Sequence, residues 1–180
     1  LDVVPVELGA KSYEILVGPG LIESAGKRIT DILGPRQIFL VTDENVTRLY
    51  AKKISHILSQ AGHEVITIVV RAGETSKDFR SLERIVDEML GQRVTRASAL
   101  VALGGGVVGD LVLHVGEELG PAGIGGQLVV AQTGIGHDPP GHDVDLLITQ
   151  DAVQHAACIE PGQLTCEKVE QAMKSVGLLN

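Results

Sequence analysis

Aromatic side chains make up only 2% of the 180 residues, and tryptophan is absent. A core must then be assembled from Val, Ile, Leu and Ala, which suits a parallel sheet covered by helices. The same shortage argues against base-stacking platforms for nucleic acid. Two cysteines, Cys158 and Cys166, are too few for a disulfide framework. No apolar run approaches the ~20 residues that a membrane-spanning helix needs, and a net charge of −8 opposes a phosphate backbone. The first residues, "LDVVPVELG", lack the basic and apolar regions of a secretory signal. The expectation is a soluble, cytoplasmic protein that partners neither nucleic acid nor membrane.

Basic residues are scarce in one part of the chain. Residues 1–110 are nearly balanced in charge, whereas residues 111–180 hold Lys168 and Lys174 against nine carboxylates and contain no arginine. Any chemistry on an anionic substrate would find few cations there.

What is present is 44% hydrophobic residues in an alternating pattern. "VVPVELG" and "SYEILVG" read as a β-hairpin around Gly9, Ala10 and Lys11. "LIESAGKRITDIL" spaces Leu21, Ile22, Ala25, Ile29 and Ile32 at helical intervals and stops at Gly34 and Pro35. "RQIFLVT" is a buried strand, and the helix from Val46 to Gly62 places Val46, Leu49, Tyr50, Ile54, Ile57 and Leu58 on one face. The strand "HEVITIVV", the helix "SKDFRSLERIVDEMLGQ" and the strand "SALVAL" follow. Strands alternating with helices of this length imply βαβ units. The predicted fold is α/β, a Rossmann-like open, mostly parallel sheet with helices on both faces and an N-terminal β-hairpin. Further on, "LVLHVGEEL" continues a helix, "QLVVAQT" and "VDLLIT" read as strands, and a last helix follows Thr165. Residues 1–150 are expected to form one domain and residues 151–180 a C-terminal helical extension.

Polar loops follow three successive strands: "TDEN" with Asp43, Glu44 and Asn45; "AGETSK" with Glu74 and Lys77; and "GGGVVGD" ending in Asp110. In an open α/β sheet, ligands bind outside the carboxyl ends of the strands. Gly104, Gly106 and Gly109 have the spacing G-x-G-x-x-G between a strand and a helix, where the backbone can approach a diphosphate. The usual dinucleotide fingerprint, however, sits in the first βα turn and has an acid about 20 residues on, and residues 126–132 contain none. Helix packing at the glycine turn, and capping by Asp43 or Asn45 and by Thr75 or Ser76, are the competing readings. Three such loops on one sheet edge favour a shared ligand.

"SYEILVGPGL", "VTDENVTRLYA", "GETSK" and "RASALVALGGGVVGDL", in that order, resemble the N-terminal NAD-binding domain of 3-dehydroquinate synthase, in the sugar phosphate cyclase group. The resemblance covers residues 1–112. It implies an NAD-dependent lyase of the shikimate pathway of aromatic amino acid biosynthesis. Such an enzyme oxidises a hydroxyl of a seven-carbon sugar acid phosphate, eliminates phosphate, reduces the carbonyl again and closes the ring. Carried over residue by residue, Asp43 and Asn45 would contact the adenosine part of NAD, and Glu74 and Lys77 the adenosine ribose region. Gly105, Gly106 and Val107 would contact the diphosphate, Asp110 would lie near the nicotinamide ribose, and Thr133 would match a threonine of a later strand.

Beyond Asp110 the family's Gly-Phe, Arg-Gly, Pro-Thr-Thr, Asp-Ser-Ser and Gly-Gly-Lys motifs are replaced by "LVLHVGEELGPAGIGGQLVVAQTGIGHDPPGHD". The family also carries a helical domain with a divalent metal, usually zinc, whose ligands are not identifiable here. "HDPPGHD", with His137, Asp138, His142 and Asp143, offers donors, but its spacing matches no standard metal signature and its prolines mark a turn. The expected partner is a small phosphorylated sugar acid, and a homodimer is compatible with the resemblance. The reading is NAD binding without catalysis by this chain alone. Another sugar phosphate cyclase, or a non-catalytic α/β scaffold, remains as the alternative.

Overall fold

A computed structural model of the chain describes residues 2–6, 13–119, 128–132 and 145–150. Thr133, the "HDPPGHD" loop, Cys158, Cys166 and the helix expected after Thr165 lie outside the described residues.

The strands are β1 (Asp2–Val6), β2 (Tyr13–Gly18), β3 (Gln37–Asp43), β4 (Glu64–Val70), β5 (Ala99–Leu103), β6 (Leu128–Gln132) and β7 (Asp145–Gln150). Among the described residues they form one sheet in the order β1-β2-β7-β6-β5-β3-β4. Strands β4, β3, β5 and β6 pair in parallel. β1 and β2 form the antiparallel hairpin expected from the sequence, and β7 joins β2 to β6 by antiparallel pairing on both sides.

The helices are α1 (Leu21–Leu33), α2 (Glu44–Val46), α3 (Lys52–Gln60), α4 (Phe79–Gly91) and α5 (Gly106–Leu119), with a π-helical turn, Thr47–Ala51, joining α2 to α3. They cover both faces of the parallel strands, and the pleat sorts β3 and β5 between two cores. Ile38 and Leu40 of β3, with Ala99, Val101 and Leu103 of β5, meet Leu21, Ile22, Ala25, Ile29, Ile54 and Leu58 from α1 and α3. Phe39 and Val41, with Leu100 and Ala102, meet Ile85 and Met89 of α4 and Val108, Leu111, Val112 and Val115 of α5. Ile38, Phe39, Leu40 and Val41 are each 0% exposed, as a strand covered on both faces must be.

Two sequence expectations need correction. Leu49 is not on the buried face of its helix but 70% exposed. It precedes Leu58 by nine residues, two and a half turns at 3.6 residues per turn, and so faces away from it. Neither Thr75 nor Ser76 caps the helix after "GETSK". Glu74–Ser76 form a 3-10 turn, and α4 starts two residues later than expected with Asp78 as N-cap, its Oδ1 accepting from the Ser81 amide at 2.8 Å.

The connections decide where a ligand can sit. After β3 the chain goes to β4 on one side, and after β5 it goes to β6 on the other. The loops leaving β3 and β5 thus diverge and open a crevice at the carboxyl edge, the switch point at which such sheets bind ligands.

Candidate functional site

Asp43, the last residue of β3, forms one wall of this crevice. Its backbone is extended, and its Oδ1 accepts from the amides of Asn45 at 2.8 Å and Val46 at 2.9 Å. Of the two caps considered for this helix, Asp43 is therefore the one used. Its other oxygen, Oδ2, lies 3.5 Å from where a Cβ on Gly104 would stand, so the ends of β3 and β5 converge. Asn45 is exposed in the first turn of α2. Just before Asp43, the Thr42 hydroxyl is fully buried and has no hydrogen-bond partner among the described residues.

The glycines of the facing wall have different tasks. Gly104 is packed: a Cβ there would come within 2.7 Å of Val108 Cγ2 and 3.1 Å of Val108 Cβ. Packing of helix against strand therefore explains Gly104. It does not explain Gly105 and Gly106, where a Cβ would meet nothing within 4 Å among the described residues. Those two leave open space at the start of α5, where the Gly105 carbonyl accepts the Gly109 amide at 3.1 Å. The amides at 105–108 have no acceptor within the helix, and they concentrate the positive end of its dipole. The Val107 side chain packs against the core formed by α4 and α5.

The third loop reaches the same helix. Lys77 Nζ is 2.8 Å from Glu74 Oε1 in its own loop and 2.8 Å from Asp110 Oδ2 on α5. Asp110 first and Glu74 second hold the Lys77 ammonium above its ordinary pKa. One turn beyond, the His114 Nδ1 stands 2.8 Å from the Asp110 carbonyl and donates to it. Asp43 and the glycine turn are thus brought together, as are Glu74, Lys77 and Asp110. Sequence reasoning missed Thr42, which reads as one more strand residue, and Asp78, which lies inside the stretch "SKDFRSLERIVDEMLGQ" read as helix.

The arrangement can hold an anion at the amides of α5 and hydroxyl groups at the flanking carboxylates. For a metal the outcome is different: among the described residues, no group of three or more His, Cys, Asp or Glu is placed to hold an ion. No described helix is long and apolar enough to cross a membrane.

Fold and crevice together define a Rossmann-like α/β sheet with an open carboxyl edge. Residues 67–119 match the family model described as 3-dehydroquinate synthase N-terminal. The chain is 44% identical over 108 residues to the 3-dehydroquinate synthase of Rhizobium meliloti (strain 1021), covering 60% of this chain and 29% of that protein. It is 43% identical over 108 residues to the enzyme of Brucella anthropi, with the same coverage. The resemblance read from the motifs, to the N-terminal domain of 3-dehydroquinate synthase, is thereby shown. This chain spans 29% of the length of those relatives. A solved structure of 2-deoxy-scyllo-inosose synthase, complexed with carbaglucose-6-phosphate, NAD+ and Co2+, superposes with a TM-score of 0.62 at 17% identity. It covers 73% of this chain and 35% of that one, a likeness of fold.

Proposed function

We propose that this chain is the NAD-binding part of a lyase of the 3-dehydroquinate synthase type, acting in the shikimate pathway on a seven-carbon sugar acid phosphate. Residues 1–150 would form the NAD-binding domain and residues 151–180 a helical extension. The observation that carries the reading is the open Gly105–Gly106 turn at the start of α5, set at the switch point of the sheet. The residues fit the cofactor. Gly105, Gly106 and Val107 would offer amides to a diphosphate, Asp43 and Asn45 would contact the adenosine part, and Glu74 and Lys77 its ribose region. Asp110 offers a carboxylate to the nicotinamide ribose, and Thr133 is carried over from the resemblance alone. When bound, NAD supplies a reversible hydride acceptor, which acidifies a neighbouring C–H and makes phosphate elimination feasible.

The described residues do not fit the family's metal, and no step is routed through one. Eliminating phosphate from a doubly anionic substrate also needs cationic clamps, and residues 111–180 contribute Lys168, Lys174 and no arginine. The expected behaviour is NAD binding without turnover.

Calorimetric titration of the full chain with NAD, repeated on Gly106→Val, tests the site. Binding that the substitution abolishes supports it, and no binding leaves an α/β scaffold of the same ancestry. Turnover of the sugar phosphate with added NAD and Zn²⁺ would refute the non-catalytic part.

A further inference from the structure

We propose that Lys77 is a latch at the edge of the nucleotide crevice, closed on Asp110 in the free protein and exchanged onto the diphosphate when the nucleotide binds. This rests on the reading that the glycine turn takes a dinucleotide.

The latch follows from where its two ends are anchored. Lys77 belongs to the loop after β4 and Asp110 to the helix after β5, and β3 lies between those strands. Strands about 4.8 Å apart put β4 and β5 roughly 10 Å from each other. Lys77 precedes α4, and α4 and α5 share one core, so its side chain reaches from the loop after β4 to the first turn of α5, next to the glycine turn.

The loop that carries Lys77 turns on a glycine and is held at a buried serine. Gly73, with φ 101° and ψ 162°, occupies a backbone region that is essentially closed to other residues. Ser76, 4% exposed, pins the far side of the short 3-10 turn. Between them, Glu74 is 72% exposed and keeps hold of the ammonium at 2.8 Å.

Charge explains why the latch must open. As it stands, two carboxylates, Glu74 and Asp110, share one ammonium. A diphosphate approaching the amides at 105–108 would meet that acidic surplus, and Asp110 Oδ2 is already occupied by Lys77. If Lys77 leaves Asp110 for a phosphate oxygen, the carboxylate is free to accept a ribose hydroxyl. Each side of the exchange then keeps a charge-assisted hydrogen bond. A lysine ammonium is charged near neutral pH in either position, and Asp110 strengthens its hold on the proton while the latch is closed.

The test is stopped-flow mixing of the full chain with NADH, whose own fluorescence reports binding. Three proteins are compared, with circular dichroism to confirm that each is folded. Asp110→Asn frees Lys77 while leaving a carbonyl for the ribose, and should speed association about two- to fivefold, the range expected from one exposed ion pair. Glu44→Gln removes one exposed carboxylate beside Asp43, at a residue with no assigned contact to the nucleotide, leaves the Lys77–Asp110 contact, and should leave the association rate unchanged. Equal acceleration in both variants would mean general repulsion and would overturn the latch. No acceleration in Asp110→Asn would also overturn it. A flat trace with the unsubstituted protein refutes the nucleotide reading itself, so the two failures are told apart.

Discussion

Gly104→Ala separates the glycine that builds the fold from those that face the crevice. The added Cβ would stand 2.7 Å from Val108 Cγ2 and 3.1 Å from Val108 Cβ, closer than such atoms approach, and 3.5 Å from Asp43 Oδ2. Val108 cannot swing aside, because it is 0% exposed and a β-branched residue in a helix has one strongly preferred rotamer. The first turn of α5 would have to lift from β5. Overpacking of this kind costs about 1–3 kcal/mol. Val108→Ala alone removes two methyl groups, a loss of about 0.8 kcal/mol each plus a cavity term. In the double variant the 2.7 Å clash with Cγ2 is gone and only the 3.1 Å contact with Cβ remains, so the combined cost should fall short of the sum by about 1–2 kcal/mol. Urea unfolding followed by far-UV circular dichroism reads all four proteins, and unchanged m-values would show that the unfolded state is not the cause. Gly105→Ala and Gly106→Ala should stay within about 0.5 kcal/mol of the parent, since their new methyls meet nothing. A Gly104→Ala protein of parental stability, or strictly additive costs, would refute the packing argument.

Two further predictions concern Asp43 and His63. Asp43→Ala should cost about 0.5–2 kcal/mol through loss of the cap on the Asn45 and Val46 amides. Asp43→Asn should keep most of that stability yet weaken NAD binding, which calorimetry can separate from unfolding. His63, 5% exposed, accepts the Arg36 amide at Nδ1 over 3.3 Å and donates from Nε2 to Thr30 Oγ1 over 2.8 Å. Burial, the largest cause, holds its pKa below the ordinary 6.5. The unfolded chain therefore binds a proton at a pH where the folded chain does not. Stability should be level above about pH 6.5 and fall as pH drops from there toward the folded-state value. His63→Gln should flatten that slope in denaturant titrations, and an unaltered slope would refute the assignment.

The parallel half of the fold was legible because its signals are local. Apolar runs of strand length at β3, β4 and β5, separated by helical spacing, need no long-range information, and the glycines after β5 mark a turn wherever they occur. The antiparallel half was legible only in part. "VDLLIT" could be read as a strand, but its place beside β2 depends on pairing across more than a hundred residues, which no periodicity carries. Leu49 shows a simpler limit: an apolar residue in a helical run is not thereby on the buried face, and counting turns from Leu58 would have excluded it.

The crevice divides along the same line. Each of its three loops was visible as a polar break after a strand, but what the loops do to one another was not. Lys77 and Asp110 are 33 positions apart, and only the strand order, which carries β4 to one side of β3 and β5 to the other, brings their side chains to 2.8 Å. The glycines show the same thing within a single motif. The sequence presents Gly104, Gly105 and Gly106 as equals, and the fold makes the first a packing residue against Val108 and leaves the other two open. A spacing pattern such as G-x-G-x-x-G joins the packed Gly104 to the open Gly106 and omits Gly105. Its match therefore signals the turn rather than the ligand, and the ligand is argued from the space the turn leaves.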